Sequence, residues 1–400
     1  MNLKDTPLLD ICSFPPQQLN LRVAMVTETY PPEINGVALT VEKLARGMQD
    51  RNHDIQVIRP RQEQDGWTPN DMAGAPVLTR GLPIPRYPQL KIGLPAKRLL
   101  HDLWSRRRPD LVHIATEGPL GWSALKVAKK LQIPVSTDFR TNFHAYSSHY
   151  RVGWLQKPIM SYLKKFHNSA ECTTVPTESL KRELDKDGFK RLVVIPRGID
   201  MSRFHPANRS AQLRQQWGAE DNDPVLVYVG RVAPEKNLDL LATTFEQVRT
   251  VAPRVQCVIV GDGPSLPALQ TRLPWVHFAG AQKGQALAEH YASADIFVFP
   301  SLTETFGNVV PEAMASGLAA ISFNYAAGQQ LIQHGANGLL CNTDDAASFT
   351  RATVEMVLNP ALRERIRTET RSSPALQDWN DILLKVEQLW IHLVSFRPIP

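Results

Sequence analysis

One local order occurs twice in this chain, about 200 residues apart. Residues 21–48, LRVAMVTETYPPEINGVALTVEKLARGM, begin with a short apolar run and pass through a loop rich in Pro, Asn and Gly. They continue into Val37, Val41, Leu44, Ala45 and Met48 at helical spacing. Residues 224–248, PVLVYVGRVAPEKNLDLLATTFEQV, repeat that order, with Leu238, Leu241, Phe245 and Val248 along one helix face. A strand that feeds a helix through a phosphate-sized loop is how a doubly wound α/β domain opens. Two such openings predict two tandem domains of this kind, and 400 residues is the right length for both.

The intervening segments fit. DIQVIRP, DLVHIA, IPVSTDF, ECTTVPT and RLVVIPRG in the first half are short apolar runs bounded by Pro, Gly or acidic residues. VQCVIVGDG, VHFAG, DIFVFPS and LAAISF do the same in the second. Runs of this type alternating with helical stretches are what a parallel sheet covered on both faces requires. The expected division is a poorly ordered leader at 1–20, a Rossmann-like domain at 21–205, and a second one at 206–375. A closing amphipathic helix at 376–400, with Trp379 and Trp390 on its apolar side, needs a large surface to pack against.

Composition narrows the class further. A charged fraction of 21% against 43% hydrophobic excludes extended disorder, and no apolar run approaches the roughly 18 residues of a membrane span. Cys12, Cys172, Cys257 and Cys341 are too scattered for a metal knuckle or a disulfide framework, which predicts a reducing, cytoplasmic setting. The net charge of +6 suits an anionic partner. Basic residues gather in the first half at Lys97, Arg98, Arg106 to Arg108, Lys126, Lys129, Lys130, Lys157, Lys164 and Lys165. Trp104, Trp154, Tyr162 and Phe166 are interleaved among them. That mixture predicts peripheral contact with an anionic membrane; without a recognised binding module, nucleic acid is not expected.

Two loops of the second half carry chemistry. In SLTETFGNVVPEAMASG, residues 301–317, Glu304 and Glu312 flank a turn expected to open a helix at Phe306, Gly307, Asn308 and Val309. Free backbone N–H groups at such a turn favour an anion, and two carboxylates aimed into the same cavity suit sugar and ribose hydroxyls. In GRVAPEKN, residues 230–237, Arg231 and Lys236 bracket the loop after the domain's first strand, where two cations make a diphosphate clamp. The VGDGP turn supplies Gly261 and Gly263. Asp221-Asn222-Asp223 has the spacing of a D-x-D metal motif but precedes a strand, which predicts a surface turn.

Taken together, the E-x7-E segment, the G-R-x-x-x-E-K loop, the VGDGP turn and the PPEINGV loop resemble glycosyltransferase family 4 from Arg22 onward. These are retaining enzymes of GT-B architecture, two Rossmann-like domains about a cleft. Within the family the chain resembles bacterial lipid-glycosylating enzymes, the GDP-mannose-dependent α-mannosyltransferases and diacylglycerol glycosyltransferases. The resemblance implies a nucleotide-sugar donor with a GDP or UDP base and a lipid or saccharide acceptor. It implies no metal or other cofactor, and a cytoplasmic protein, peripheral on the inner membrane face. It further implies donor contacts from Gly36, Arg231, Lys236, Glu304, Phe306, Gly307, Asn308, Val309 and Glu312, with the base near Ala281 to Lys283. Where many members carry a His, in a pattern like S-x-H-T-N-F, this chain reads STDFRTNFHAYSSHY. Arg140 and His144 are therefore the catalytic candidates beside Glu304, either of them able to take the place of that His. Arg140 would stabilise charge on phosphate or bind a donor hydroxyl, because a guanidinium is no base at neutral pH, and His144 would contact the sugar or satisfy a loop carbonyl.

Overall fold

In the computed structural model, which describes residues 20–33, 36–63, 65, 76–84, 87–140, 156–220 and 222–395, two parallel sheets are built in succession. The first half gives β1 (Arg22–Val26), α1 (Gly36–Asp50), β2 (Asp54–Pro60) and β3 (Val77–Thr79). An antiparallel ribbon of β4 (Gly81–Ile84) and β5 (Tyr87–Gly93) follows, then α2 (Lys97–Arg106) and β6 (Leu111–Ile114). The domain continues through α3 (Pro119–Lys130), β7 (Val135–Asp138), α4 (Gln156–His167), β8 (Cys172–Val175), α5 (Glu178–Lys186) and β9 (Leu192–Val194). Its strands lie in the order β3-β2-β1-β6-β7-β8-β9, every pairing parallel.

The second sheet starts after a short helix α6 (Ala211–Gln216). It comprises β10 (Val225–Val229), α7 (Leu238–Val251), β11 (Gln256–Val260), α8 (Leu266–Arg272), β12 (His277–Gly280) and α9 (Gly284–Ser293). Then come β13 (Ile296–Phe299), α10 (Val309–Ala315), β14 (Ala319–Phe323), α11 (Ala326–Leu331) and β15 (Gly338–Cys341). The order is β12-β11-β10-β13-β14-β15. Strands such as VLVYV and AAISF are buried along their whole length, which is why they read as unbroken apolar runs. In each sheet the chain winds outward in one direction and then returns to the middle to wind outward in the other. The reversal falls between β1 and β6 in one sheet and between β10 and β13 in the other.

After α12 (Ala346–Leu358) and α13 (Pro360–Arg371), the chain crosses back as α14 (Trp379–Ser395). Ile382, Leu383, Val386 and Trp390 of α14 join Val41, Leu44 and Met48 of α1 in one apolar cluster. Glu387 fastens the helix by accepting from Arg51 Nε at 2.8 Å and facing His53 Nε2 at 3.0 Å. The two strands of chain that link the domains touch where they cross. Ile199 N–H donates to Gln377 O at 2.9 Å, and Gly198 lies against Trp379 so closely that a Cβ would come within 2.8 Å of its Cα.

Three expectations need correction. Strands β3, β4, β5 and β15 carry no long apolar run and were not foreseen; two are only three or four residues at a sheet edge, and β4 contains a proline. The closing helix starts at Trp379, three residues later than the apolar pattern implied. Trp104 and Phe166 are fully buried core residues rather than part of a basic surface, so that of the interleaved aromatics only Tyr162 is an exposed one among the described residues. Trp154 and the leader 1–19 lie outside the described residues.

Candidate active site

The two motif loops leave neighbouring strands on the same edge of the second sheet. Leu226 of β10 pairs with Ile296 of β13, so the loops that follow β10 and β13 emerge side by side at the point where the winding reverses. In open α/β sheets this crevice is where ligands bind. Cross-loop hydrogen bonds fix their spacing: Thr303 Oγ1 donates to Glu235 O at 2.9 Å, and Asn237 Nδ2 to Pro300 O at 3.2 Å. Tyr228 Oη, from inside the sheet, donates to Arg231 O at 3.0 Å. The VGDGP turn packs against the same loop. Gly261 has φ +147°, and a Cβ there would collide with the carbonyl oxygen of Gly230.

Both expected cations stand on the loop after β10, and each is held by an acid. Lys236 Nζ is ion-paired with Glu304 Oε1, their side chains only 11% and 17% exposed. Ser301 Oγ donates to the same Glu304 oxygen at 2.8 Å, while Tyr325 Oη donates to the Glu304 carbonyl at 2.8 Å. Arg231, more exposed, pairs with Glu235, which is almost wholly buried. Glu235 was not foreseen as a site residue. It stands inside the G-R-x-x-x-E-K motif, and its opposite charge four residues after Arg231 is the signal that could have revealed it.

The helix after Glu304 starts later than expected: Asn308 is the cap and α10 begins at Val309. Gly307 turns the chain with φ +91°. Phe306 is buried in the core, and its carbonyl accepts Ala327 N–H at 2.8 Å. Val309 packs partly against the same core. Asn308 reaches across to the other domain, where a Cβ on Gly36 would lie 3.8 Å from its Nδ2. Glu312 accepts from Tyr291 Oη at 2.9 Å, and desolvation by burial pushes its carboxyl up to about 7. Glu304 is paired with Lys236, whereas Glu312 and Asn308 line an interdomain groove of about 760 Å³. The opposite wall of that groove is α1, with Thr40, Lys43 and Arg46, and the crossing segment with Asp200 and Arg203. Ala281 to Lys283 form the largely exposed turn between β12 and α9.

Arg140 sits elsewhere. It is 7% exposed and ion-paired with Asp138 at the end of β7, beneath α14, and is not among the residues lining the groove. Its neighbours are His113, Arg197 and Trp390. His144 lies outside the described residues. Asp223, in the D-x-D-like stretch, is a buried turn acid whose Oδ2 accepts Glu220 N–H at 3.1 Å.

Two doubly wound domains, joined by a double crossing and facing one groove, define a GT-B glycosyltransferase. Sucrose-phosphate synthase from Thermosynechococcus elongatus has this fold at a TM-score of 0.74 and 19% identity, covering 94% of this chain and 100% of that one. Residues 34–203 match the model of Glycosyltransferase Family 4 and residues 223–359 that of Glycosyl transferases group 1. A GDP-mannose-dependent alpha-mannosyltransferase of Corynebacterium glutamicum is 32% identical over 94% of this chain and 90% of its own length. An alpha-monoglucosyldiacylglycerol synthase of Acholeplasma laidlawii is 27% identical over 81% and 86%. The chain belongs to glycosyltransferase family 4 and is a hexosyltransferase.

Proposed function

We propose that this enzyme is a retaining transferase that moves a mannose- or glucose-type hexose from a nucleotide sugar to a membrane lipid such as diacylglycerol. The observation that carries the proposal is the Lys236–Glu304 pair at the reversal of the second sheet, with Arg231–Glu235 beside it. A cation already held by a carboxylate is poised for exchange. The donor's pyrophosphate takes Lys236 and Arg231, and the released Glu304 accepts hydroxyl hydrogens of the sugar. Backbone N–H groups near Gly307 and Asn308 add to the anion's field, Glu312 takes the ribose, and Val309 packs beside the nucleotide. Gly36, across from Asn308, lets the first domain approach the phosphates.

In this mechanism the acceptor oxygen bonds to the anomeric carbon on the face from which the diphosphate departs. Its proton passes to the departing diphosphate oxygen, and configuration is retained. The charge that develops on the leaving group is carried by Arg231 and Lys236, with no metal invoked. A lipid acceptor is supported by the names of the relatives and by exposed basic residues on α2, α3 and α4, including Lys97, Arg98, Lys129, Lys130 and Lys165. Among the described residues no helix is long and apolar enough to cross a membrane, which is compatible with action from the cytoplasmic face. Thermal-shift screening against GDP- and UDP-hexoses, followed by transfer of radiolabel from the stabilising donor, is the test. Label in the organic phase with retained anomeric configuration is expected. Label only in water-soluble or polyprenyl-linked saccharide would replace the acceptor assignment, and no nucleotide sugar raising Tm would end the proposal.

A further inference from the structure

Beneath α14 lies a small cavity of about 30 Å³ that adjoins the groove holding Glu312, with Thr40 and Trp379 lining both. Its polar wall is made at the carboxyl ends of three strands: His113 on β6, Asp138 and Arg140 at the end of β7, and Arg197 just after β9. Trp390 of α14 closes it, its ring 5.4 Å from that of His113. Two guanidinium groups therefore face one carboxylate, and among the described residues no other acid lines the space. Asp138 is ion-paired with Arg140, and its Oδ2 lies 3.4 Å from His113 Nε2 without a hydrogen bond between them. Arg140 Nε and Nη1 and Trp390 Nε1 are buried donors without any hydrogen-bond partner.

A buried positive charge with unused donors is costly unless something compensates it. A water molecule would fit, since a cavity needs roughly 10–15 Å³ to hold one, and would satisfy donors, but it would leave the charge. A dianion would overshoot the single excess charge. We infer that the cavity binds one small monovalent anion, a halide, between Arg140 and Arg197. The strain the ion relieves is visible in Arg197, whose guanidinium is brought down to about 9 by burial and then by Arg140. Because the site joins β7, the segment leading into the first domain crossing and the returning helix α14, the ion strengthens docking of α14 on the first domain. It touches none of the groups assigned to the donor.

The test uses the whole protein at constant ionic strength, exchanging sodium gluconate for sodium chloride or bromide. Tm should stay flat at halide concentrations well below the Kd and rise by about 2 °C per tenfold increase above it. In Arg140→Met the excess charge is gone, and the halide dependence should vanish. Crystals of the wild-type protein soaked in bromide should show an anomalous peak inside the cavity, a measurement that stands even if the variant does not fold. Equal Tm in gluconate and chloride would overturn the inference. So would bromide peaks confined to exposed Lys and Arg side chains, an adventitious ion only.

Discussion

Lys236→Met separates the structural from the chemical role of the central ion pair. Two unit charges about 4 Å apart attract by about 4 kcal/mol at an effective dielectric of about 20. Desolvation offsets part of this for side chains 11% and 17% exposed, so that removing the ammonium and stranding Glu304 should cost about 2–3 kcal/mol. In a chain of this size that lowers Tm by about 4–6 °C. Adding Glu304→Gln removes the stranded charge, and most of the lost Tm should return. Activity should behave differently. Losing a cation aimed at the leaving diphosphate lowers kcat/KM by about 10²–10³, and neutralising Glu304 as well can only deepen the loss. Steady-state transfer and thermal melts on the wild type, both single variants and the double variant give the full cycle. Near-wild-type turnover in Lys236→Met, or recovery of turnover together with Tm in the double variant, would refute the exchange mechanism.

Burial keeps the Glu312 proton on in the folded protein up to about pH 7, whereas the unfolded chain releases it near the ordinary 4.5. Its stabilising contribution is complete below about 4.5 and is lost as pH rises through about 7, so Glu312→Gln should flatten the fall in Tm across that window. Glu28, also raised to about 7 chiefly by burial, and Glu33, raised by burial as well, contribute to the remaining slope, and an unchanged slope in Glu312→Gln would contradict the placement. Gly261→Ala forces a Cβ into the Gly230 carbonyl and should cost well above the ~1 kcal/mol expected of Gly218→Ala. At Gly218, φ is +72° and nothing lies within 4 Å, so similar Tm losses in the two would show that the close approach is absent. Co-sedimentation with vesicles should require anionic lipid and fade as salt rises from 0.1 to about 1 M, where the Debye length shrinks from about 10 to about 3 Å. Equal binding to neutral vesicles would exclude the basic face.

What the sequence disclosed follows from how local each signal is. The central strands are apolar on both faces, so their runs stand out, whereas β3 and β15 at the sheet margins have too few residues to do so. The motif loops were legible because a loop between a strand and a helix advertises itself through Gly, Pro and charge. Partnerships across distance were not. Lys236 and Glu304 are 68 residues apart, and nothing local says that they pair in the absence of donor. Tyr291 beneath Glu312 looked like any core aromatic. The burial of Arg140 depends on α14, which arrives some 240 residues later in the chain. Arg197 went unnoticed because its neighbours Pro196 and Gly198 read as a turn.

The division of labour between the domains also explains why the chain crosses between them twice at one place. Arg231, Lys236, Glu304 and Glu312 all belong to the second domain, so that domain alone can hold a donor. Gly36 and the α1 wall of the groove belong to the first, and α1 lines the groove opposite Asn308 and Glu312. A single linker would let the first domain swing freely away from the groove. The Ile199–Gln377 hydrogen bond and the packing of Gly198 on Trp379 make the two crossings one pivot, beside which Lys43 of α1 meets Asp200 at 3.3 Å. That last pair is too exposed to hold the domains shut, and its worth is at most about 1 kcal/mol. On the proposed donor reading, a closing of the domains would draw on the donor's phosphates, held from the second domain, rather than on this pair.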